Sequence, residues 1–138
     1  MSGPGADSYS DNAPIARRGS GPSGGDERTI EISGDVLFGP GSAVLKVDAK
    51  RELDRVISEL KHARSIVIEG HTDSDPIRKA SAKYKTNEAL SKARADAVKT
   101  YLVSKGVSKS KISTVGKGAS EPKETKAKSR RVDIVVVE

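Results

Sequence analysis

Two stretches of the sequence hold side chains whose types and spacing suit chemistry. The first is IVIEGHTDSD, residues 66–75, an alternating apolar run that breaks into Gly70, His71, Thr72 and Asp73. The second is NEALSKAR, residues 87–94, where Asn87, then Leu90 and Ser91, then Arg94 lie three to four apart and share one helical face. Asp73 and Arg94 are a carboxylate and a guanidinium. Set near each other, they can bind the two ends of a zwitterion, with the guanidinium gripping a carboxylate in bidentate fashion. The free N–H groups at a helix start favour the same carboxylate. Alternatively, the two side chains form a plain structural ion pair, the commoner role of such residues.

Other chemistry is poorly supplied. His71 and Asp73 hint at a metal, but the only other histidine is His62 and there is no cysteine. Zinc normally takes three or four protein ligands, so no metal site is expected. Thr72 or Ser91 as a nucleophile would need a base and an oxyanion hole, and no such set is visible. The chain does not read as an enzyme, and no cofactor is implied.

The elements that must position these residues follow from periodicity. TIEISGDVLF alternates around Ile30, Ile32, Val36 and Phe38 and reads as a strand, broken near Gly34. GPGS is a turn. Ala49, Leu53, Val56, Ile57 and Leu60 mark a helix. SIVIEG is a second strand, with Gly70 allowing a tight exit toward Asp73. Residues 74–86 read as a long polar loop. Asn87 suits a helix N-cap, ahead of Leu90, Ala93, Ala97, Val98, Tyr101 and Leu102 on one face. Gly106 ends that helix. KISTVG and RVDIVVV are strands, the latter apolar enough to be central. The order is β-α-β-α-β-β. Strands joined through helices need parallel or crossover neighbours, so the fold class is α/β, an α+β sandwich: a mixed sheet with helices packed on one face.

Composition bounds the partners. The chain has 138 residues, 32% of them charged, with one Phe and no Trp, so its core must be aliphatic. Residues 1–28 are rich in Gly, Ser, Pro and Asp and read as a flexible linker or tail, with the domain proper at 29–138. Of the net charge of +6, the domain carries +7, with 22 basic and 15 acidic residues. That favours an anionic surface or polymer without choosing one. No apolar stretch approaches the roughly 20 residues of a membrane span. No signal peptide is visible, so the chain reads as cytosolic or as the soluble part of a longer exported protein.

GHTDSD, NEALSKARADAVKTYLVSKGV, ISTVGKGASEP and RRVDIVV together resemble the OmpA-like peptidoglycan-binding domain, over roughly residues 29–138. That domain ends outer membrane protein A, the peptidoglycan-associated lipoprotein and flagellar stator B-type proteins. Asn-x-x-Leu-Ser-x-x-Arg-Ala-x-x-Val, here Asn87, Leu90, Ser91, Arg94, Ala95 and Val98, is its most specific motif. The resemblance implies non-covalent binding of peptidoglycan through the meso-diaminopimelate of its stem peptide, anchoring an envelope protein to the cell wall from the periplasm. Asp73 would meet the ligand's ammonium end and Arg94 its carboxylate. Backbone groups near Phe38, Gly39 and Leu90 would line the pocket, and Thr72 and Asn87 would orient the loops. Ser91 belongs to the same set. Arg130 and Arg131 would brace the site or touch the glycopeptide. His71 would be a packing and hydrogen-bonding partner.

Four features depart from the family pattern. Asp73 and Asn87 are fourteen residues apart where about eight is usual, the later loop is shorter than usual with only six residues between Pro122 and Ser129, Lys117 replaces an aromatic residue, and Ser129 replaces an asparagine. They fall on the rim of the expected pocket. The expected partner is therefore peptidoglycan, with no nucleic acid and with membrane contact only through an N-terminal anchor. The oligomeric state stays open, a dimer included. The rival reading is a basic module binding nucleic acid or another anionic polymer; the scarcity of aromatic residues for base stacking speaks against nucleic acid. A third, a wall hydrolase, lacks its catalytic set.

Overall fold

The computed structural model describes residues 26–138. The proposed tail therefore lies outside the described residues up to residue 25, and its last two residues, Glu27 and Arg28, already belong to the first strand. Strand β1 (Glu27–Ser33) leads through a one-turn helix, α1 (Gly34–Leu37), and a loop to helices α2 (Val47–Asp54) and α3 (Ile57–Lys61). Strand β2 (Ser65–His71) and a long loop precede α4 (Asn87–Ser104). A short 3₁₀ turn, β3 (Ile112–Gly116), the one-turn α5 (Lys126–Ser129) and β4 (Arg131–Val137) complete the chain.

The sheet runs β1-β4-β2-β3. Strand β4 is antiparallel to both β1 and β2, and β2 runs parallel to β3. The mixed sheet and the central position of RVDIVVV match the sequence reading. Registers align the apolar rows: Ile134 lies opposite Ile30 on one side and Ile68 on the other. Ile66, Ile68, Ile112, Val132, Ile134 and Val136 face a layer formed by Ala49, Leu53, Leu60, Ala95, Val98 and Leu102. Burial of these aliphatic side chains, about 1.5–3 kcal/mol for each larger one, is the main favourable term. The opposite face of the sheet carries Glu31, Glu69, His71, Arg131 and Asp133, because successive side chains alternate.

Three local readings are corrected. The alternation through Gly34 is not one strand. Ser33 ends β1 and its Oγ accepts from the Asp35 N–H at 3.2 Å, which starts α1. The helix marked by Ala49 to Leu60 is two helices, parted at Arg55 and Val56, where the β-branched pair Val56-Ile57 weakens helical continuity. Thr86, not Asn87, caps α4, its hydroxyl accepting from the Ala89 N–H at 3.0 Å.

Helix α4 is also rotated from the reading. Leu90, Val98 and Leu102 are buried as expected, but Ala93, Ala97 and Tyr101 are only half-buried, and Ser91, Arg94 and Ala95 take the inner positions. The cause is Gly70. A Cβ there would stand 2.1 Å from the Ser91 carbonyl oxygen, so only glycine lets α4 lie this close to β2. Gly70 thus serves helix approach rather than a tight exit. At the far end, Gly106 (φ 99°) terminates α4, with the Val107 N–H returning to the Leu102 carbonyl at 3.1 Å.

Candidate ligand-binding site

Five segments converge at the end of the sheet where β2 stops and β4 begins: α1, the loop of residues 38–46, the exit of β2, the start of α4, and the α5–β4 junction. Arg94 is the inner member. It is only 6% exposed, yet it has no carboxylate within salt-bridge distance among the described residues. Its Nε donates to the Ser42 carbonyl at 2.8 Å and its Nη2 to the Gly39 carbonyl at 3.0 Å. The guanidinium lies 5.1 Å from the centre of the Phe38 ring, a cation–π contact. Nη1 makes no hydrogen bond among the described residues. Burial pulls the Arg94 pKa down; Asp35 raises it, Arg130 lowers it and Asp73 raises it. These four charges therefore share one field.

Asp73 is not paired with Arg94. Its Oδ2 accepts from Arg130 Nη1 at 2.7 Å, and its Oδ1 from the Asp75 N–H at 2.9 Å. Arg130 also grips Asp35 with both arms of a fork, Nε to Oδ1 at 2.9 Å and Nη2 to Oδ2 at 3.0 Å. Hydrogen bonding from Asp35, then Asp73, raises the Arg130 pKa, and Arg130 holds the Asp35 carboxyl below its ordinary value. The result is two carboxylates and two guanidiniums with no net charge. Asp35 was not singled out from the sequence. The signal that could have found it is its place at the first turn of a helix next to the aromatic Phe38.

The remaining predicted residues separate into two groups. Thr72, Asn87, Phe38 and Gly39 are brought to the cluster as scaffolding. Thr72 donates its hydroxyl to the Asp73 carbonyl at 3.0 Å, while its N–H reaches the Gly118 carbonyl. Asn87 Nδ2 donates to the carbonyls of Asp75 at 3.1 Å and Asp73 at 3.4 Å, pinning the loop to the start of α4. Leu90 and Ser91 are buried beneath. Ser91 Oγ donates to the Glu88 carbonyl and accepts from the Gly118 N–H at 2.9 Å, locking the loop after β3 onto α4. Arg131 does not join the cluster. Its Nε lies 3.1 Å from Asp133 Oδ1 and its Nη1 donates to the Glu121 carbonyl, on the outer face of the sheet. Strand alternation separates it from Arg130, which is the arginine at the site.

Geometry and fold define a class: a one-layer helical cover on a four-stranded mixed sheet, presenting a charge-balanced socket at one end. The OmpA family profile matches residues 37–133. The chain belongs to the OmpA family. Outer membrane protein A of Klebsiella aerogenes is 37% identical over 99 residues, covering 69% of this chain and 27% of that protein. The protein of the same name from Citrobacter freundii is 39% identical over 95 residues, 66% of this chain and 37% of its own length. The chain thus spans less than two-fifths of these relatives. Among solved structures, a MotB-like protein from Desulfovibrio vulgaris superposes with a TM-score of 0.74 at 28% identity, covering 81% of this chain and 76% of that one. The cell wall anchor of the type VI secretion system (T6SS) from Pseudomonas aeruginosa gives 0.73 at 29% identity, covering 81% and 82%. No helix among the described residues is long and apolar enough to cross a membrane.

Proposed function

We propose that this domain binds peptidoglycan non-covalently through the free end of a diaminopimelate side chain, and so anchors an envelope protein to the wall from the periplasm. The observation that carries the reading is Arg94, a buried guanidinium held by two carbonyls and without an acidic partner among the described residues. Burying a charge unpaired is costly, and a ligand carboxylate would relieve that cost. Nη1 is free to receive it. The ammonium of the same zwitterionic centre would sit on Asp73. A carboxylate offers about four lone-pair sites, of which Arg130 and the Asp75 N–H use two.

The net charge of the socket is zero, which suits a ligand end that is itself neutral overall. Amidation of the diaminopimelate carboxylate would remove the charge that Arg94 needs and should weaken binding. Affinity for one site would be modest, and many wall sites would supply avidity. The relative described as a cell wall anchor supports the same role. The chemistry requires no bond to be made or broken.

Sedimentation with purified, insoluble peptidoglycan tests this. The wild-type protein should pellet, free diaminopimelate should release it, and folded Asp73→Ala and Arg94→Ala variants should stay in solution. If all three pellet and salt alone releases them, binding is diffuse charge, as for the nucleic-acid or anionic-polymer reading, and the socket assignment is wrong.

A further inference from the structure

On the outer face of the sheet, away from the socket, His71 lies under the loop that follows β3. Its side chain is 1% exposed, and neither ring nitrogen has a hydrogen-bond partner among the described residues. Nε2 is left with two long carboxylate contacts instead of a formed hydrogen bond, an unusual state for a buried nitrogen. Three carboxylates surround it. Glu69, two residues earlier on β2, places Oε1 3.4 Å from His71 Nε2. Asp133, across the sheet on β4, places Oδ2 3.3 Å from the same nitrogen. Glu121, from the loop, brings a carboxylate oxygen within 4.8 Å of the donors of Glu69 and His71.

The geometry points to a divalent transition-metal site, of the zinc class, held by His71 Nε2, Glu69 and Glu121, with Asp133 as a fourth or bridging carboxylate. Bond lengths of about 2.1 Å in a tetrahedron put neighbouring donors about 3.4 Å apart. That is the spacing already present between Nε2 and the two sheet carboxylates. One imidazole with carboxylate oxygens suits zinc or manganese better than copper(I), which favours thiolate and thioether. The charges permit it. Three carboxylates face one buried guanidinium, Arg131, which is engaged on Asp133. The second cation, Lys117, stands 3.4 Å from Glu121, is partly exposed and can swing clear. Glu121 is half-exposed and provides the way in. Histidine spacing in the sequence missed this set because two of its carboxylates come from other elements.

Binding would tie the loop carrying Glu121 to β2, just before the turn that presents Asp73. The test is equilibrium dialysis of the metal-stripped chain against zinc, with magnesium as control and thermal denaturation in parallel. Wild type should bind one equivalent of zinc with a rise in Tm, and magnesium should give neither. Glu121→Gln, an exposed change that leaves the core intact, and Glu69→Gln should each weaken zinc binding at least tenfold. No zinc binding by wild type would overturn the assignment, leaving His71 as a protonated partner of the carboxylates. Zinc binding equally strong in Glu121→Gln would also overturn it by placing the ion elsewhere. Neither result depends on wall binding, which is read separately by sedimentation.

Discussion

Replacing Arg94 by lysine separates shape from charge at the socket. The substitution keeps the formal charge and the net +6 of the chain. It removes the fork. Arg94 spends Nε on the Ser42 carbonyl at 2.8 Å and Nη2 on the Gly39 carbonyl at 3.0 Å, and keeps Nη1 for a ligand. A lysine ammonium is a single point with three donors on a flexible stem. It cannot brace both carbonyls and also face outward in a fixed direction. Losing one charge-assisted hydrogen bond to the ligand carboxylate costs about 1.5–3 kcal/mol, which is roughly a 10- to 150-fold weaker Kd at 1.4 kcal/mol per tenfold. The released loop of residues 38–46 should lower the Tm as well, by a few degrees. Calorimetric titration with free diaminopimelate, beside sedimentation on sacculi, reads the first effect, and differential scanning calorimetry reads the second. Full binding by Arg94→Lys would refute the reasoning, since charge without geometry would then suffice.

Other expected outcomes follow from the same geometry. Gly70→Ala should destabilise the fold by about 3 kcal/mol or more in urea titration, because the new methyl meets backbone rather than a movable side chain. Thr86→Ala should cost about 1 kcal/mol by removing the α4 cap, and a loss near zero would mean that Asn87 caps the helix after all. Arg130 depresses the Asp35 carboxyl from its unfolded value of 3.8, so Asp35 stabilises the fold above that pH and the contribution fades as pH falls through the lower folded value. The urea midpoint of Asp35→Asn should therefore lie below that of wild type at about pH 6 and approach it in stronger acid; a constant gap would contradict the pairing.

Strand alternation and the long Asn87–Val98 motif made the sheet, its main helices and the approach of Asp73 and Arg94 to one end of it legible in the sequence, although the two are not paired with each other. What stayed hidden depends on pairing between distant elements. Nothing local says that Arg130 rather than Arg131 reaches Asp73, because that follows from where β4 starts its alternation. Asp35 reads as a charge in an apolar run until Ser33 caps the turn that carries it. The inward rotation of α4 is set by a missing side chain at Gly70, which periodicity along α4 cannot register. The outer cluster joins residues from β2, β4 and a loop, and so leaves no spacing to find. The break between α2 and α3 was missed because its apolar pattern continues unbroken.

Strand β1 has a mechanical consequence. The chain enters it at Glu27, opposite Val137, and leaves it at Ser33, opposite Arg131, the end of the sheet beside Asp35 and Arg130. Tension applied through the residues before Glu27, with the socket held, runs along the strand axis. It loads all seven register pairs with β4 in shear, together, instead of peeling them one by one. A domain gripped at one end of its edge strand and pulled from the other resists force as a lap joint does, and its rupture strength should exceed what its equilibrium stability alone would suggest.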